Sequence, residues 1–209
     1  MESKTALPLN KVPITSKNKQ QFSKYLSYLL RHNPEDVGLK LGKDGWINTH
    51  ELIEAINTSE NNKYFVALYQ LVNIVDADEK KRYSFKSDGD DSYAYIRANQ
   101  GHSIKDLDIE FKEVIPPKYL YHGTSEKTLK SILSSGELKP MSRQMVHLSK
   151  DAETATNVGK RHGKPVILAI DTEKATQDGI KFYISENGVY LVDKLSTDYI
   201  NILTNVEKE

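Results

Sequence analysis

Apolar residues recur at helical spacing in the first part of this chain. The stripe of the first helix stops at Asn33-Pro34 and consists of Phe22, Tyr25, Leu26, Leu29 and Leu30. A second helix is predicted from Asn48, a suitable N-cap with Glu51 three residues later, to Ile56. A further apolar stripe, from Tyr64 to Val75, predicts a third helix.

A change to alternating apolar and polar side chains follows these helices. Residues 82–86 and 93–98 alternate on either side of the polar turn Ser87–Ser92, which predicts a β-hairpin. The segment Gly45–Ile47 is predicted to be a short extended piece. Three helices and a two-stranded wing describe a small winged-helix domain. Winged helices commonly bind nucleic acid, but many do not, so this fold alone does not assign a function.

Short strands dominate the second half of the chain. The predicted strands are Tyr119–His122, Val146–Ser149, Pro165–Asp171, Lys181–Ser185 and Val189–Val192. The run Pro165–Asp171 is almost continuously apolar, as is typical of a strand that is buried on both faces. Glu186-Asn187-Gly188 is a strong hairpin signal between the last two strands. Helices are predicted over Lys127–Ser134 and Ala152–Lys160.

The whole pattern predicts an α+β protein with an N-terminal winged-helix lobe and a β-rich C-terminal lobe. We expect a mobile polar arm over residues 1–19 and the winged-helix lobe over residues 20–105. A linker is predicted over residues 106–117, because it ends in the double proline Pro116-Pro117. The β-rich lobe is predicted to follow over residues 118–209.

Composition and charge exclude several classes of protein. There is no cysteine, so disulfides and thiolate metal sites are excluded. We see no apolar run near the roughly 20 residues that span a bilayer, and no signal-peptide pattern, so we expect a cytoplasmic protein with no membrane contact. The 29 basic and 29 acidic residues balance. Tight nonspecific binding to nucleic acid usually leaves a basic excess, so any contact with a polyanion must use a few placed arginines.

Two histidines are candidate binding residues in the second half. His122 lies in the sequence Tyr121–Thr124, before a predicted helix, and His147 lies in the next predicted strand. The two histidine rings could stack on a dinucleotide and donate hydrogen bonds to its ribose hydroxyls. The free amides at the start of the helix could bind its phosphates. The alternative is that both are ordinary, partly buried strand residues.

Four basic segments could bind anions. Arg31-His32 lie in the last turn of the first helix, where they could bind phosphate or simply cap the helix. The polar loop Arg97–Ser103 follows the second hairpin strand, and Arg143 precedes the strand of His147. The run Gly159–Lys164 is interpreted as a solvated helix end. No phosphate-binding loop, dinucleotide fingerprint or metal-ligand spacing is present, so we expect no metal.

Taken together, these segments resemble the RNA 2′-phosphotransferase family. The resemblance covers nearly everything from Phe22 to Ile200 and is specific because the motifs occur in one fixed order. Its residues are Leu29–Pro34, Gly45-Trp46, Ile96–Ser103, Tyr121–Thr124, Arg143–Ser149, Val158-Gly159, Arg161, Gly163–Pro165, Phe182-Tyr183 and Asn187–Val189.

The resemblance implies a winged-helix lobe and an ADP-ribosyltransferase-like lobe, with the active site between them. It implies that an Arg-His-Arg-Arg set acts on the phosphate, which here corresponds to Arg31, His32, Arg97 and Arg143. It also implies NAD as co-substrate and a His-His-Val signature at His122, His147 and Val189. The full set of implied NAD-binding residues is His122, Gly123, Thr124, His147, Leu148, Ser149 and Val189. His102 and Ser103 are candidates to which the resemblance gives no role.

The implied activity is removal of an internal RNA 2′-phosphate through an ADP-ribosylated RNA. The products would be 2′-OH RNA, nicotinamide and ADP-ribose 1″,2″-cyclic phosphate, and no metal is needed. The expected partner is RNA with a 2′-phosphate, such as a transfer-RNA splice junction, and a monomer suffices for the chemistry. One alternative is a transferase that acts on another phosphorylated nucleic-acid end. A second alternative is a noncatalytic winged-helix binding module.

Overall fold

The computed structural model describes residues 10–203, with His162 described by its backbone alone. Within this range the chain is a mixed α/β protein with six α-helices and several small sheets. It divides into two compact units, of which the first ends at Glu110 and the second begins at Phe111. The division lies inside the segment 106–117 that the sequence predicts as a linker.

The first unit contains three α-helices and a small antiparallel sheet. In chain order its elements are β1 (Val12–Pro13), α1 (Lys19–Arg31), β2 (Ile47–Asn48), α2 (Thr49–Thr58), β3 (Tyr64–Phe65), α3 (Leu68–Asp76), β4 (Tyr83–Lys86) and β5 (Tyr95–Ala98). Strand β5 is the central strand, with β2 on one side and β4 on the other. The predicted hairpin is therefore confirmed, and the extended piece near Trp46 becomes the third strand of its sheet.

Local sequence signals explain two of these helices. The side chain of Asn48 accepts hydrogen bonds from the backbone amides of His50 and Glu51 at 2.9 and 3.1 Å, which confirms the predicted N-cap of α2. The apolar stripe of α1 is buried as predicted. Its fully buried members pack in the core of this unit and are Phe22, Leu26, Leu29 and Leu30.

The third helix begins later than predicted. Tyr64 and Phe65 pair in parallel with Val12 and Pro13, so they form strand β3 and the helix starts at Leu68. The prediction that the helix begins at Tyr64 is wrong because strand pairing across about 50 residues of chain has no local signature. The same pairing corrects the predicted mobile arm at Val12 and Pro13. Residues 1–9 of that arm lie outside the described residues.

The second unit is built mainly from antiparallel strands. Its elements are β6 (Lys112–Val114), β7 (Tyr119–Ser125), α4 (Glu126–Ser135), β8 (Glu137–Leu138), β9 (Val146–Leu148), α5 (Ala152–Gly159), β10 (Pro165–Asp171), α6 (Thr172–Gln177), β11 (Phe182–Ile184), β12 (Tyr190–Val192), β13 (Leu195–Ser196) and β14 (Ile200–Leu203). The sheets have the strand orders β14–β10–β7, β6–β11–β12–β9 and β13–β8. The predicted strand Pro165–Asp171 is confirmed as β10, at the centre of its sheet.

Strand β7 connects the two larger sheets of this unit. It pairs with β10 along its whole length, from Tyr119 opposite Asp171 to Ser125 opposite Pro165. On its other side, Tyr121 and Ser149 exchange backbone hydrogen bonds of 2.8 and 2.7 Å just beyond β9. The two strands that carry the candidate histidines therefore lie side by side.

One strand occupies a segment that the sequence predicts as linker. Strand β6 pairs with β11, with Val114 opposite Phe182, so part of the range 106–117 belongs to the sheet of the second unit. Its side chains are largely exposed at an edge, and an edge strand of this kind lacks the apolar alternation by which strands are recognised.

Candidate active site

The end of helix α1 supplies two candidate side chains of the first unit. Arg31 is the last residue of α1 and keeps only 9% of its surface exposed. His32 follows at the C-cap, where its amide donates to the carbonyl of Tyr28 at 2.9 Å. Because the apolar face of α1 is fixed in the core, the helix places both residues at a defined point of the unit.

Arg97 is held by strand pairing and by an aromatic ring. It lies in β5, whose Ile96 is opposite Ile47, so Trp46 just before β2 becomes its neighbour. The guanidinium lies 4.6 Å from the centre of the Trp46 ring and donates to the carbonyl of Asp44 at 3.3 Å. A guanidinium above an aromatic face is attracted by the ring quadrupole, so Trp46 restricts the directions that Arg97 can take.

The loop that follows β5 is tied to its surroundings at both ends. At its start, the side-chain amide of Asn99 donates to the carbonyl of Lys81 at 2.9 Å. At its end, the backbone amide of Ser103 donates to the carbonyl of Arg31 at 3.0 Å. Gly101 between them has a φ of 89°, in the left-handed region that glycine adopts without strain. The loop therefore joins β5 to the end of α1.

His102 is buried and lies within electrostatic reach of Arg31, His32 and Arg97. It is 2% exposed, and within residues 10–203 neither of its ring nitrogens has a hydrogen-bond partner. Burial, followed by the positive charges of Arg31, His32 and Arg97, lowers the pKa of His102 from 6.5 to about 3. The ring is therefore neutral at physiological pH. The predicted phosphate-binding residues of this unit are thus brought together around an uncharged imidazole, to which the sequence assigned no role.

The two histidines of the second unit are also brought together. The Nδ1–H of His122 donates to the backbone carbonyl of His147 at 3.0 Å. A carbonyl can only accept, so the neutral His122 ring carries its proton on Nδ1. His147 itself lies opposite Leu191 of β12 and is half-buried, whereas Val146 and Leu148 on either side of it in the strand are buried.

Gly123 provides close packing between a strand and a helix. A Cβ atom at Gly123 would lie 1.7 Å from the carbonyl oxygen of Ala155 in α5, a distance that no side chain allows. Gly159, at the end of the same helix, is similarly close to β7, since a Cβ atom there would lie 3.0 Å from the carbonyl oxygen of Thr124. Packing therefore explains both glycines. The implied role of Gly123 in binding NAD stays a prediction.

The neighbours of these residues differ in what they can offer a ligand. Thr124 is buried at 4% exposure, and Ser125 caps α4 by accepting from the amide of Thr128. Leu148 belongs to the hydrophobic core, so only its backbone can serve a ligand. Val189 lies one residue before β12, and its amide donates to the hydroxyl of the buried Ser185 at 3.1 Å. The predicted NAD-binding residues thus lie on adjacent strands and turns of one unit.

Arg143 precedes β9 and is exposed as a residue. Desolvation of its guanidinium, followed by the positive charge of Arg161, lowers the pKa of Arg143. It stays protonated at neutral pH because an arginine starts from a pKa above about 12. The sequence pattern predicts Arg161 to be part of a solvated helix end. Arg161 is exposed in the turn Lys160–His162 that follows α5, as predicted, and its charge also acts on Arg143, 18 positions earlier in the sequence.

Clusters of metal-ligating side chains and membrane-spanning helices are both absent from the part of the chain that the structure describes. Residues 10–203 contain no group of three or more histidine or acidic side chains placed to hold a metal ion. Among the helices of the described chain, none has the length and apolar character needed to cross a membrane.

Comparison with known proteins gives the class and then the family. The chain is 50% identical to a protein of Fusobacterium nucleatum over 184 aligned residues. The alignment covers 88% of this chain and 98% of the relative. It is 47% identical to a protein of Nostoc punctiforme over 180 aligned residues. That alignment covers 86% of this chain and 94% of the relative. Both relatives carry the name "Probable RNA 2′-phosphotransferase". The protein is therefore an enzyme of the transferase class.

The family is shown by a match over most of the chain. The family model described as "RNA 2'-phosphotransferase, Tpt1 / KptA family" matches residues 17–194. The chain belongs to this family, which confirms the resemblance that the sequence motifs indicated.

Proposed function

We propose that this enzyme removes an internal 2′-phosphate from RNA and transfers it to the ADP-ribose part of NAD. The observation that carries this proposal is the arrangement of Arg31, His32 and Arg97 around the buried, neutral His102. Two fixed cations and an imidazole in the same unit suit a phosphomonoester, which carries up to two negative charges. The balanced net charge of the whole chain agrees with a site that binds one phosphate and not a long backbone.

The proposal includes the class of each unit. We assign the first unit as a winged-helix lobe, because three helices accompany a sheet in which β4 and β5 form the hairpin. We assign the second unit as an ADP-ribosyltransferase-like lobe. Its support is that His122 and His147 lie on neighbouring strands, with Val189 just before β12, together with family membership.

Each phosphate-binding residue has a distinct capacity. Arg31 and Arg97 present planar guanidiniums that can bind phosphate oxygens in pairs, and His32 adds a donor that is not permanently charged. We assign these three residues to the RNA phosphate. Arg143 is assigned to the phosphate during its transfer and to the pyrophosphate of NAD. Several guanidiniums are needed because two anionic substrates must approach each other.

The second unit has a donor set that fits NAD. His122 has its ring orientation and tautomer fixed by the carbonyl of His147, so it can offer a defined nitrogen to a ribose hydroxyl. Thr124 and Ser149 supply hydroxyls and backbone groups beside it, and Arg143 with Arg161 supplies positive charge for a pyrophosphate. When bound, NAD supplies an electrophilic ribose carbon with nicotinamide as the leaving group.

The overall reaction balances without a further reactant. RNA with a 2′-phosphate and NAD give RNA with a 2′-hydroxyl, nicotinamide and ADP-ribose 1″,2″-cyclic phosphate. The proton of the 2″-hydroxyl of the ribose ends on the RNA 2′-oxygen. We propose that a transfer-RNA splice junction in the cytoplasm is the natural substrate and that the enzyme acts as a monomer.

The direct test uses purified protein and an RNA oligonucleotide with one internal 2′-phosphate, with and without NAD. We expect NAD-dependent loss of the phosphate and formation of the cyclic product, detected by mass spectrometry. The same oligonucleotide with only a 5′-phosphate tests the alternative acceptor, and its preferential use would replace the proposed substrate. Binding of RNA with no turnover would support the noncatalytic alternative.

A further inference from the structure

Ser103 contacts two consecutive residues of the proposed phosphate-binding set. Its backbone amide donates to the carbonyl of Arg31 at 3.0 Å, and its hydroxyl oxygen lies 2.9 Å from Nδ1 of His32. Ser103 and His32 are 71 positions apart in the sequence, so the contact depends on the fold of the whole unit. Ser103 is half-buried, and the start of its loop is tied through Asn99 to the carbonyl of Lys81, just before β4.

The direction of the side-chain hydrogen bond determines the chemistry of His32. A serine hydroxyl can donate or accept, whereas a neutral imidazole has one donor nitrogen and one acceptor nitrogen. If the hydroxyl donates to Nδ1, the ring proton must be on Nε2. If the hydroxyl accepts from Nδ1, Nε2 has no proton and would repel a phosphate oxygen. Only the first arrangement gives a neutral His32 a donor for phosphate at Nε2.

We propose that Ser103 is a positioning residue: its hydroxyl donates to Nδ1 of His32 and keeps the ring proton on Nε2, the donor for the RNA phosphate. The inference deepens the proposed function and rests on the assignment of His32 to that phosphate. Ser103 acts through His32 and touches no reacting atom in this assignment.

The neighbouring side chains already supply permanent positive charge for a phosphate. Arg31 and Arg97 are permanently charged, and together with burial they lower the pKa of the adjacent His102. His32 is then needed as a hydrogen-bond donor, so a group that selects between its two neutral forms has a purpose. The backbone amide of Ser103 binds Arg31 whatever its side chain is. Removal of the hydroxyl should therefore change the imidazole and not the fold.

The test compares three variants. Ser103→Ala removes the hydroxyl, and Ser103→Thr keeps it. Ser87→Ala is the matched control, because it removes an exposed serine hydroxyl of the same unit that accepts from the amide of Gly89, at 2.9 Å. We expect Ser103→Ala to lower kcat/KM for 2′-phosphorylated RNA about tenfold, as for loss of one hydrogen bond, with KM for NAD unchanged. Ser103→Thr should retain most of the wild-type kcat/KM for 2′-phosphorylated RNA, and Ser87→Ala should have the wild-type kcat/KM.

A second measurement determines the tautomer of His32 and does not depend on catalytic turnover. Two-bond ¹H–¹⁵N correlation spectra of histidine-labelled protein identify the protonated ring nitrogen, and the His32 signals are assigned by their loss in His32→Asn. We expect the Nε2–H form in the free wild type and a mixture of forms in Ser103→Ala. An Nδ1–H form in the wild type would overturn the proposal, as would a Ser103→Ala spectrum that is unchanged. Absence of 2′-phosphate removal by the wild type would instead overturn the proposed function, since the spectra do not depend on it.

Discussion

The two units fix their histidines by different means. In the first unit, His32 meets a serine hydroxyl on a loop, and Arg97 lies over a tryptophan ring. In the second unit, His122 binds the backbone of the neighbouring strand, and the strand itself is packed against α5 without room for a Cβ at Gly123. Side-chain support can be removed while the fold is kept. Backbone support cannot, so variants of the second unit should couple function to stability more strongly.

The largest effect is expected for Gly123→Ala. The added methyl would overlap the carbonyl of Ala155, so β7 or α5 must move and the free energy of unfolding should fall by about 3 kcal/mol or more. The control is Gly136→Ala. Gly136 has a φ of 72° and open space around it, so an alanine there causes backbone strain alone and should lower the free energy of unfolding by about 1 kcal/mol. Urea denaturation measures both. Equal losses in the two variants would contradict close packing at Gly123.

Arg143→Ala should reduce turnover strongly with little loss of stability. Removal of a charged donor from a phosphate-transfer site costs about 100-fold or more in kcat. We expect RNA with covalently attached ADP-ribose to accumulate, because the later phosphate transfer needs this guanidinium more than NAD binding does. Electrophoresis and mass spectrometry of the RNA detect it. Arg161→Ala is the control, with a smaller expected loss, and wild-type turnover by Arg143→Ala would exclude the assignment.

His102→Gln should change how stability depends on pH. The pKa of His102 falls from 6.5 to about 3 on folding, so below pH 6.5 the unfolded chain binds a proton that the folded chain does not. Wild-type stability is therefore complete above that pH and decreases as the pH falls toward 3. The loss by about pH 4.5 is on the order of 3 kcal/mol. Thermal denaturation across this range should show a shallower decline for His102→Gln, while the exposed His50→Gln should keep the wild-type decline.

The smallest effect is expected at Trp46. Trp46→Leu removes the aromatic face beneath Arg97 and should lower kcat/KM for RNA roughly fivefold, in line with about 1 kcal/mol for a cation–π contact. Trp46→Phe keeps an aromatic face and should lose less. Steady-state kinetics at varied RNA concentration, together with melting temperatures, separates this effect from unfolding. Equal losses in both variants would show that ring size, and not the aromatic face, supports Arg97.

Local signals in the sequence predicted most elements of this fold. Asn48 caps its helix through its own side chain, and the apolar run Pro165–Asp171 has no interpretation other than a buried segment. Gly188 in the predicted hairpin has a φ of 77°, which glycine tolerates. Helix α6 and strands β3, β6, β8, β13 and β14 are not predicted by the sequence. Strand β3 and the edge strand β6 depend on distant partners and not on their own residues.

The sequence predicts residues for the candidate site but not the contacts that support them. The resemblance identified Arg31, His32, Arg97 and Arg143 from motif order, and the structure groups the first three around His102. The support by Ser103 and the closeness of Arg161 to Arg143 arise from tertiary packing. A single sequence contains no periodicity that reports such contacts.

The short loop after β5 also determines where this protein tolerates engineering. Between Ala98 and Ser103 the chain is bonded to Lys81 at one end and to Arg31 at the other. An inserted residue adds about 3.5 Å of chain, more than a hydrogen bond can absorb. Insertions are therefore excluded there. The exposed turn Ser87–Ser92, at the far end of the same hairpin, can accept an affinity tag or a fluorophore, which makes it the attachment point for a sensor of RNA binding.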